Sequence, residues 1–169
     1  CDFTDYCNRL LPEQPATEII ELSNEAEIDH SAIKDFLDDI GYPLYFFDFE
    51  TIMPCVPMFD NSRPYQQIPF QYSLHYKKYK DSDPIHYEYL ATTDGDPRVE
   101  LIKQLIENTK DPGVILVYSI AFERTRLKEM MIDFLYYHFE LQQIIERLVD
   151  LMPIFRRGYY YTESMEESY

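Results

Sequence analysis

Apolar and polar positions along the chain fall into short periodic runs separated by turn residues. The first fifteen residues are irregular, with Pro12 and Pro15 as breakers, and Thr17 to Leu22 reads as a short amphipathic helix. Ile33, Phe36, Leu37 and Ile40 recur at helical spacing, which predicts a helix from Asp29 to Ile40 capped by Ser31 and stopped by Gly41. Tyr42 to Thr51 is an aromatic run that suits a strand, with Pro43 at its start, where no ladder hydrogen bond is lost. Ile52 to Pro69 contains Pro54, Pro57, Pro64 and Pro69 and has no period of its own. Connections that long inside a domain are often functional.

Phe70 to Tyr76 alternates and is expected to pair, across the polar turn Lys77 to Asp83, with Ile85 to Leu90. Asp96 as cap and Pro97 at the first position open a helix to about Asn108 that buries Val99, Ile102, Leu105 and Ile106. Val114 to Tyr118 is a continuous apolar run, the signature of a central strand buried on both faces. It leads through Ser119 to Glu123 into a helix ending near Phe134. A further helix is predicted over Tyr137 to Arg147, and Leu148 to Met152 reads as a short strand or a helix entry. Strand, hairpin, helix, strand, helix, helix implies an α/β domain with a mixed sheet flanked by helices.

At 169 residues, with 16 Tyr and 11 Phe, the chain can bury one sizeable core. No run is long and apolar enough to cross a membrane, and no secretory signal opens the chain, so a cytoplasmic setting is expected. A net charge of −16 argues against binding nucleic acid by bulk electrostatics, although metal ions and a local basic patch can offset the repulsion. Cys1, Cys7 and Cys55 are too few for a disulfide scaffold, and Cys55 reads as an apolar filler. A chain opening on Cys1 rather than methionine is expected to be a piece of a longer protein.

The strand ending Phe47-Asp48-Phe49-Glu50-Thr51 carries the candidate chemistry. Alternation puts Asp48 and Glu50 on one face, where two carboxylates repel each other and resist desolvation. A divalent cation relieves that repulsion, and hard oxygen ligands suit Mg2+ or Mn2+. The plainer alternative is an exposed acidic strand end.

Asp48-Phe49-Glu50-Thr51 resembles the first motif of the DnaQ-like (DEDD) 3′–5′ exonucleases, and Tyr118-Ser119-Ile120-Ala121-Phe122-Glu123 resembles their second. Leu148-Val149-Asp150-Leu151 is similar to the segment that follows. Within this group, Asp48 to Pro54, Arg63 to Gln71, Ser73-Leu74-His75, Asp96-Pro97-Arg98 and Val117-Tyr118 with Phe122-Glu123 resemble a bacterial family, domain of unknown function 2779. The likeness runs from about Ile40 to the C-terminus. It departs from the exonuclease pattern at Ser119, usually Asn, and Glu123, usually Asp; Glu166 or Glu167 also stands where the family has glycine. Cys1 to Cys7 is similar to the end of the cysteine cluster of RecB-like nucleases, which makes residues 1–28 a linker from an upstream nuclease domain and 29–169 the exonuclease-like domain. Two thiolates fall short of four, so no iron–sulfur cluster is expected.

The resemblance implies a ribonuclease H-like three-layer fold and two-metal hydrolysis of a phosphodiester in DNA or RNA, with Asp48, Glu50 and Glu123 as metal ligands. Glu123 has an ordinary alternative as a first-turn acid favoured by the helix dipole. The implied substrate is a single-stranded end. Thr51, Arg63, Tyr65, Gln66, Gln67 and Phe70 are candidate contacts to it, Arg63 to phosphate and Tyr65 and Phe70 to bases, against loop packing as the alternative. His75 reads first as a core histidine and second as a cleft residue, while Asp150 reads first as a helix cap and second as a site residue. Arg124, Arg126 and Lys128 are a local basic patch or a solvated helix face. The third exonuclease motif is expected beyond Tyr169, so the chain is expected to be inactive alone. The rival expectation is a non-catalytic interaction or scaffold module.

Overall fold

The computed structural model describes residues 26–92, 95–162 and 165. Cys1, Cys7, the expected helix at Thr17 to Leu22, and Glu166 and Glu167 lie outside the described residues. A short strand β1 (Glu27–Ile28) precedes helix α1 (His30–Asp38). The sheet strands are β2 (Leu44–Ile52), β3 (Ile68–Lys77) and β4 (Ile85–Leu90), followed by α2 (Arg98–Asn108) and β5 (Val114–Val117). Then come α3 (Ile120–Asp133), a single 3-10 turn (Leu135–Tyr137), α4 (His138–Glu146), β6 (Leu148–Asp150), α5 (Met152–Arg156) and β7 (Tyr160–Tyr161).

Five strands form one mixed sheet in the order β4-β3-β2-β5-β6. β2 is central, antiparallel to β3 and parallel to β5, and β5 is parallel to β6. The expected hairpin forms between β3 and β4. The register of β2 against β3 slips between Glu50 and Thr51: Glu50 faces Gln71, but Thr51 faces Pro69, so Phe70 is passed over. Such a bulge bends a strand where a site needs a side chain re-aimed. β1 and β7 pair separately as a two-stranded antiparallel ribbon.

Alternation along β2 divides the sheet into a closed and an open face. Tyr45, Phe47 and Phe49 are buried with Tyr72, Leu74 and Tyr76 of β3. Against them pack Leu101, Ile102 and Leu105 of α2, Leu127 and Met130 of α3, and Leu141 and Ile144 of α4. On the other face Phe46, Asp48, Glu50 and His75 are exposed. The expected flanking helices therefore cover the closed face, while the positions bearing the candidate carboxylates stay open.

Several local expectations are corrected. Asp29, not Ser31, caps α1, its Oδ1 accepting from the Ala32 backbone N–H at 2.9 Å. The apolar stripe of α1 buries no residue, and Leu37 is more than half exposed. Pro97, not Asp96, is the last residue before α2, although Asp96 Oδ1 does accept from the Arg98 N–H. The strand opened by Pro43 begins at Leu44, after a cis Tyr42–Pro43 bond. Gly113 is set by close approach: a Cβ there would lie 2.1 Å from the Pro43 carbonyl oxygen, which accepts from Val114 N at the start of β5.

The long connection between β2 and β3 is held by one buried cation. Arg98, 1% exposed, donates to both oxygens of Asp96 and, at 2.7 Å, to Asp133 Oδ2 at the end of α3. It also reaches the Asp60 carbonyl in the loop at 3.3 Å and lies over the Phe134 ring. Gln66 extends the clamp, donating to Asp133 Oδ2 and accepting from the Arg63 N–H.

Replacing Gly113 with alanine forces β5 away from Pro43 and is expected to destabilise the domain by about 1–3 kcal/mol in urea unfolding. Arg98→Ala strands two partly buried carboxylates and is expected to destabilise it by about 3–5 kcal/mol in the same measurement.

Candidate active site

The parallel pairing of β2 with β5 builds the site. β5 ends at Val117, and the chain turns through extended Ser119 into α3, so the first turn of that helix stands beside Asp48. Glu123 lies in this turn, its backbone N–H directed at the Ser119 carbonyl, and its side chain is 3% exposed. Two segments far apart in sequence thus bring one buried and one exposed carboxylate together.

This contact carries an electrostatic penalty. Burial, and then the charge of Asp48, push the Glu123 carboxyl up to about 8 from its ordinary value near 4.5; the Phe49 backbone and Arg126 act in the opposite direction. Glu123 Oε2 is buried and has no hydrogen-bond partner. A buried carboxylate oxygen without a donor, next to a second carboxylate, has the chemistry of half a divalent-cation site. Glu50 lies on the same strand face as Asp48 and is exposed. Among the described residues no three His, Cys, Asp or Glu side chains converge as a metal-ligand set. The acid pair fits a cation as two ligands, and the others have to come from water or from outside the described residues.

The open face beside Asp48 holds a shallow cavity of about 210 Å³ lined by Asp48, Ser73, His75, Leu116, Tyr118 and Leu151 among others. Ser73 faces Asp48 across β2 and β3, and its hydroxyl is 3.2 Å from His86 Nε2. His75 stacks on His86 with ring centroids 4.4 Å apart. The core reading of His75 is thereby overturned: it points to the uncovered face, because β3 alternates in step with β2. A larger cavity, about 500 Å³, lies between the end of α2 and α4 and includes none of the candidate carboxylates.

The other predicted residues separate into groups. Thr51, just beyond the bulge, and Gln67 and Phe70 are half-buried. Tyr65 is 66% exposed with φ of 58°, a conformation costly for a bulky residue, and its N–H donates to the Pro54 carbonyl. Gln66 is 4% exposed and engaged within the loop clamp, so packing takes it from the substrate set. Arg63 is exposed but paired with Glu129 at 2.5 Å. Leu151, not Asp150, is the last residue before α5, although Asp150 Oδ1 accepts from the Met152 N–H at 3.0 Å. The trio Arg124, Arg126 and Lys128 forms no common surface: Lys128 is exposed, Arg124 half-buried and Arg126 buried. Arg98, Glu129 and Asp133 were not anticipated as organising residues; the one sequence signal was Asp96-Pro97-Arg98, which marked a position without its partners.

No helix among the described residues is long and apolar enough to cross a membrane. Residues 45–169 match the model of domain of unknown function 2779. An uncharacterized Mycoplasma pneumoniae protein, the MG366 homolog, is 34% identical over 119 residues, which is 65% of this chain and 18% of that protein. Its Mycoplasma genitalium counterpart, also described as uncharacterized, is 30% identical over the same shares. The chain spans about a fifth of the length of these curated relatives. No solved structure matches it. With a match across most of its length, covering both candidate carboxylate motifs, the chain belongs to the domain of unknown function 2779 family.

Proposed function

We propose that this domain is the ribonuclease H-like, metal-binding part of a 3′–5′ exonuclease-like phosphodiesterase acting on a single-stranded end of DNA or RNA. The observation that carries the reading is the meeting of Asp48 and Glu123, with a buried Glu123 oxygen left without a donor. A mixed five-stranded sheet with β2 at its centre supports it, since the motifs imply an α/β domain with a mixed sheet. Mg2+ or Mn2+, when bound, supplies an activated water and stabilises the leaving oxygen. Asp48 and Glu123 would hold the cation, and Glu50, on the same face of β2, is positioned to orient a water. The open sheet face leaves room for a strand end, and exposed Tyr65 offers a stacking surface.

A non-catalytic binding module is the second reading, favoured by the lack of a converging three-ligand set among the described residues. Activity separates the two. The longer protein containing this domain is expected to degrade single-stranded DNA or RNA with Mg2+ or Mn2+, and Asp48→Ala to lower the rate at least about 100-fold. Equal rates in mutant and wild type, or no degradation by the wild type, favour the binding module.

Stability provides a test independent of turnover. The folded state keeps the Glu123 proton up to about pH 8, while the unfolded chain releases it near 4.5. Glu123 thus contributes stability that is full below pH 4.5 and is lost as pH rises towards 8. Glu123→Gln does not titrate, so its stability relative to wild type is expected to rise across that window, reaching a gain of about 2 kcal/mol by pH 9. Mn2+ is expected to raise the melting temperature of the wild type more at pH 9 than at pH 6, and to leave Glu123→Gln unmoved.

A further inference from the structure

One turn beyond Glu123, α3 carries a second feature that the acid pair does not explain. Arg126 is 7% exposed, yet its Nε and Nη1 are buried without hydrogen-bond partners. Its guanidinium lies over the Phe122 ring, and its Nε is 3.1 Å from Glu129 Oε2, an ion pair that lacks hydrogen-bond alignment. Glu129 turns its other oxygen to Arg63, which arrives from the β2–β3 connection. Two guanidiniums therefore share one carboxylate, with Glu123 a further acid within the electrostatic reach of Arg126.

A structural ion pair inside a protein is expected to satisfy its buried donors. Here a planar fork is desolvated, fixed over an aromatic ring and left with donors unmet. That arrangement is preorganised for an oxyanion with more oxygens, and a tetrahedral one, than a carboxylate offers. Because Arg126 and Glu123 are three residues apart on one helix, the fork lies on the same helix face as the acid pair.

We infer that Arg126 and Arg63 form the oxyanion-binding half of this site, taking a phosphate of a nucleic-acid end, with the Glu129 carboxylate ion-paired between them in the free protein. The identity of the anion rests on the function proposed above; the two-arginine site itself does not. Glu129 acts as an internal competitor: a substrate phosphate displaces its carboxylate, and the released side chain turns to solvent. Arg126 positions the anion beside Asp48 and Glu123, and Arg63 closes over it from the loop.

Calorimetric titration with inorganic phosphate and with a ten-nucleotide oligothymidylate, in metal-free buffer, tests this in the protein that carries the domain. Glu129→Gln keeps the side-chain shape while removing the competing charge, and is expected to bind both probes about tenfold more tightly than wild type. Adding Arg63→Gln, a change at an exposed side chain, is expected to cancel most of that gain, and adding Arg126→Gln all of it. The gain is also expected in an Asp48→Asn background, so a failed metal site and a failed anion site are distinguishable. Unchanged phosphate affinity in Glu129→Gln overturns the site. A gain for inorganic phosphate with none for the oligonucleotide overturns its assignment to nucleic acid.

Discussion

A guanidinium sealed inside a protein is costly unless carboxylates and carbonyls from the surrounding segments meet it, and Arg98 is met from three. Asp96 belongs to the entry of α2, Asp133 to the end of α3, and Asp60 to the connection after β2. None of these segments is constrained to the others by local sequence. With the cation in place, the proline-rich connection is anchored at Asp60 and Gln66, and the far end of α3 is tied to the start of α2. The helix whose first turn carries Glu123 is thus held at its last residue by an interaction that does not involve the acid pair.

Held this way, α3 presents Glu123 against Asp48 despite an arrangement that folding alone would avoid. A buried carboxyl pressed against a second carboxyl loses solvation and gains repulsion. The Phe49 backbone and Arg126 offset only part of this, and Glu123 Oε2 bonds nothing. The rest of the domain therefore has to absorb the penalty through the aromatic and aliphatic packing of Tyr45, Phe47, Phe49 and their helical partners. Local disfavour of this kind, sustained by a well-packed scaffold, marks the acid pair as a candidate functional site.

Element types were legible because their periods differ. The alternation of β2 and β3, the apolar run of β5 and the helical spacing of α2 and α4 all lie in the order the pattern implies. Caps and edges were less legible. Asp29 displaces Ser31 because the helix starts at His30 and the Asx oxygen reaches the Ala32 N–H, a choice made within one turn. Leu37 shows the other limit: an amphipathic stripe says which side of a helix is apolar, not whether anything covers it.

What the sequence determined by itself was the order of the main strands and helices and the common face of Asp48 and Glu50, since a strand's two-residue period places side chains without reference to distant segments. The tertiary structure alone decided which acid meets which. It brought Glu123 to Asp48, withdrew Gln66 into the loop clamp, left His75 on the open face, and turned Arg126 inward beside Glu129 and Arg63. Each of these depends on contacts between residues many positions apart, and on the burial those contacts create. No local period encodes such distances: the motif resemblance named Asp48 and Glu123 as one set, and it is the pairing of β2 with β5 that brings them together.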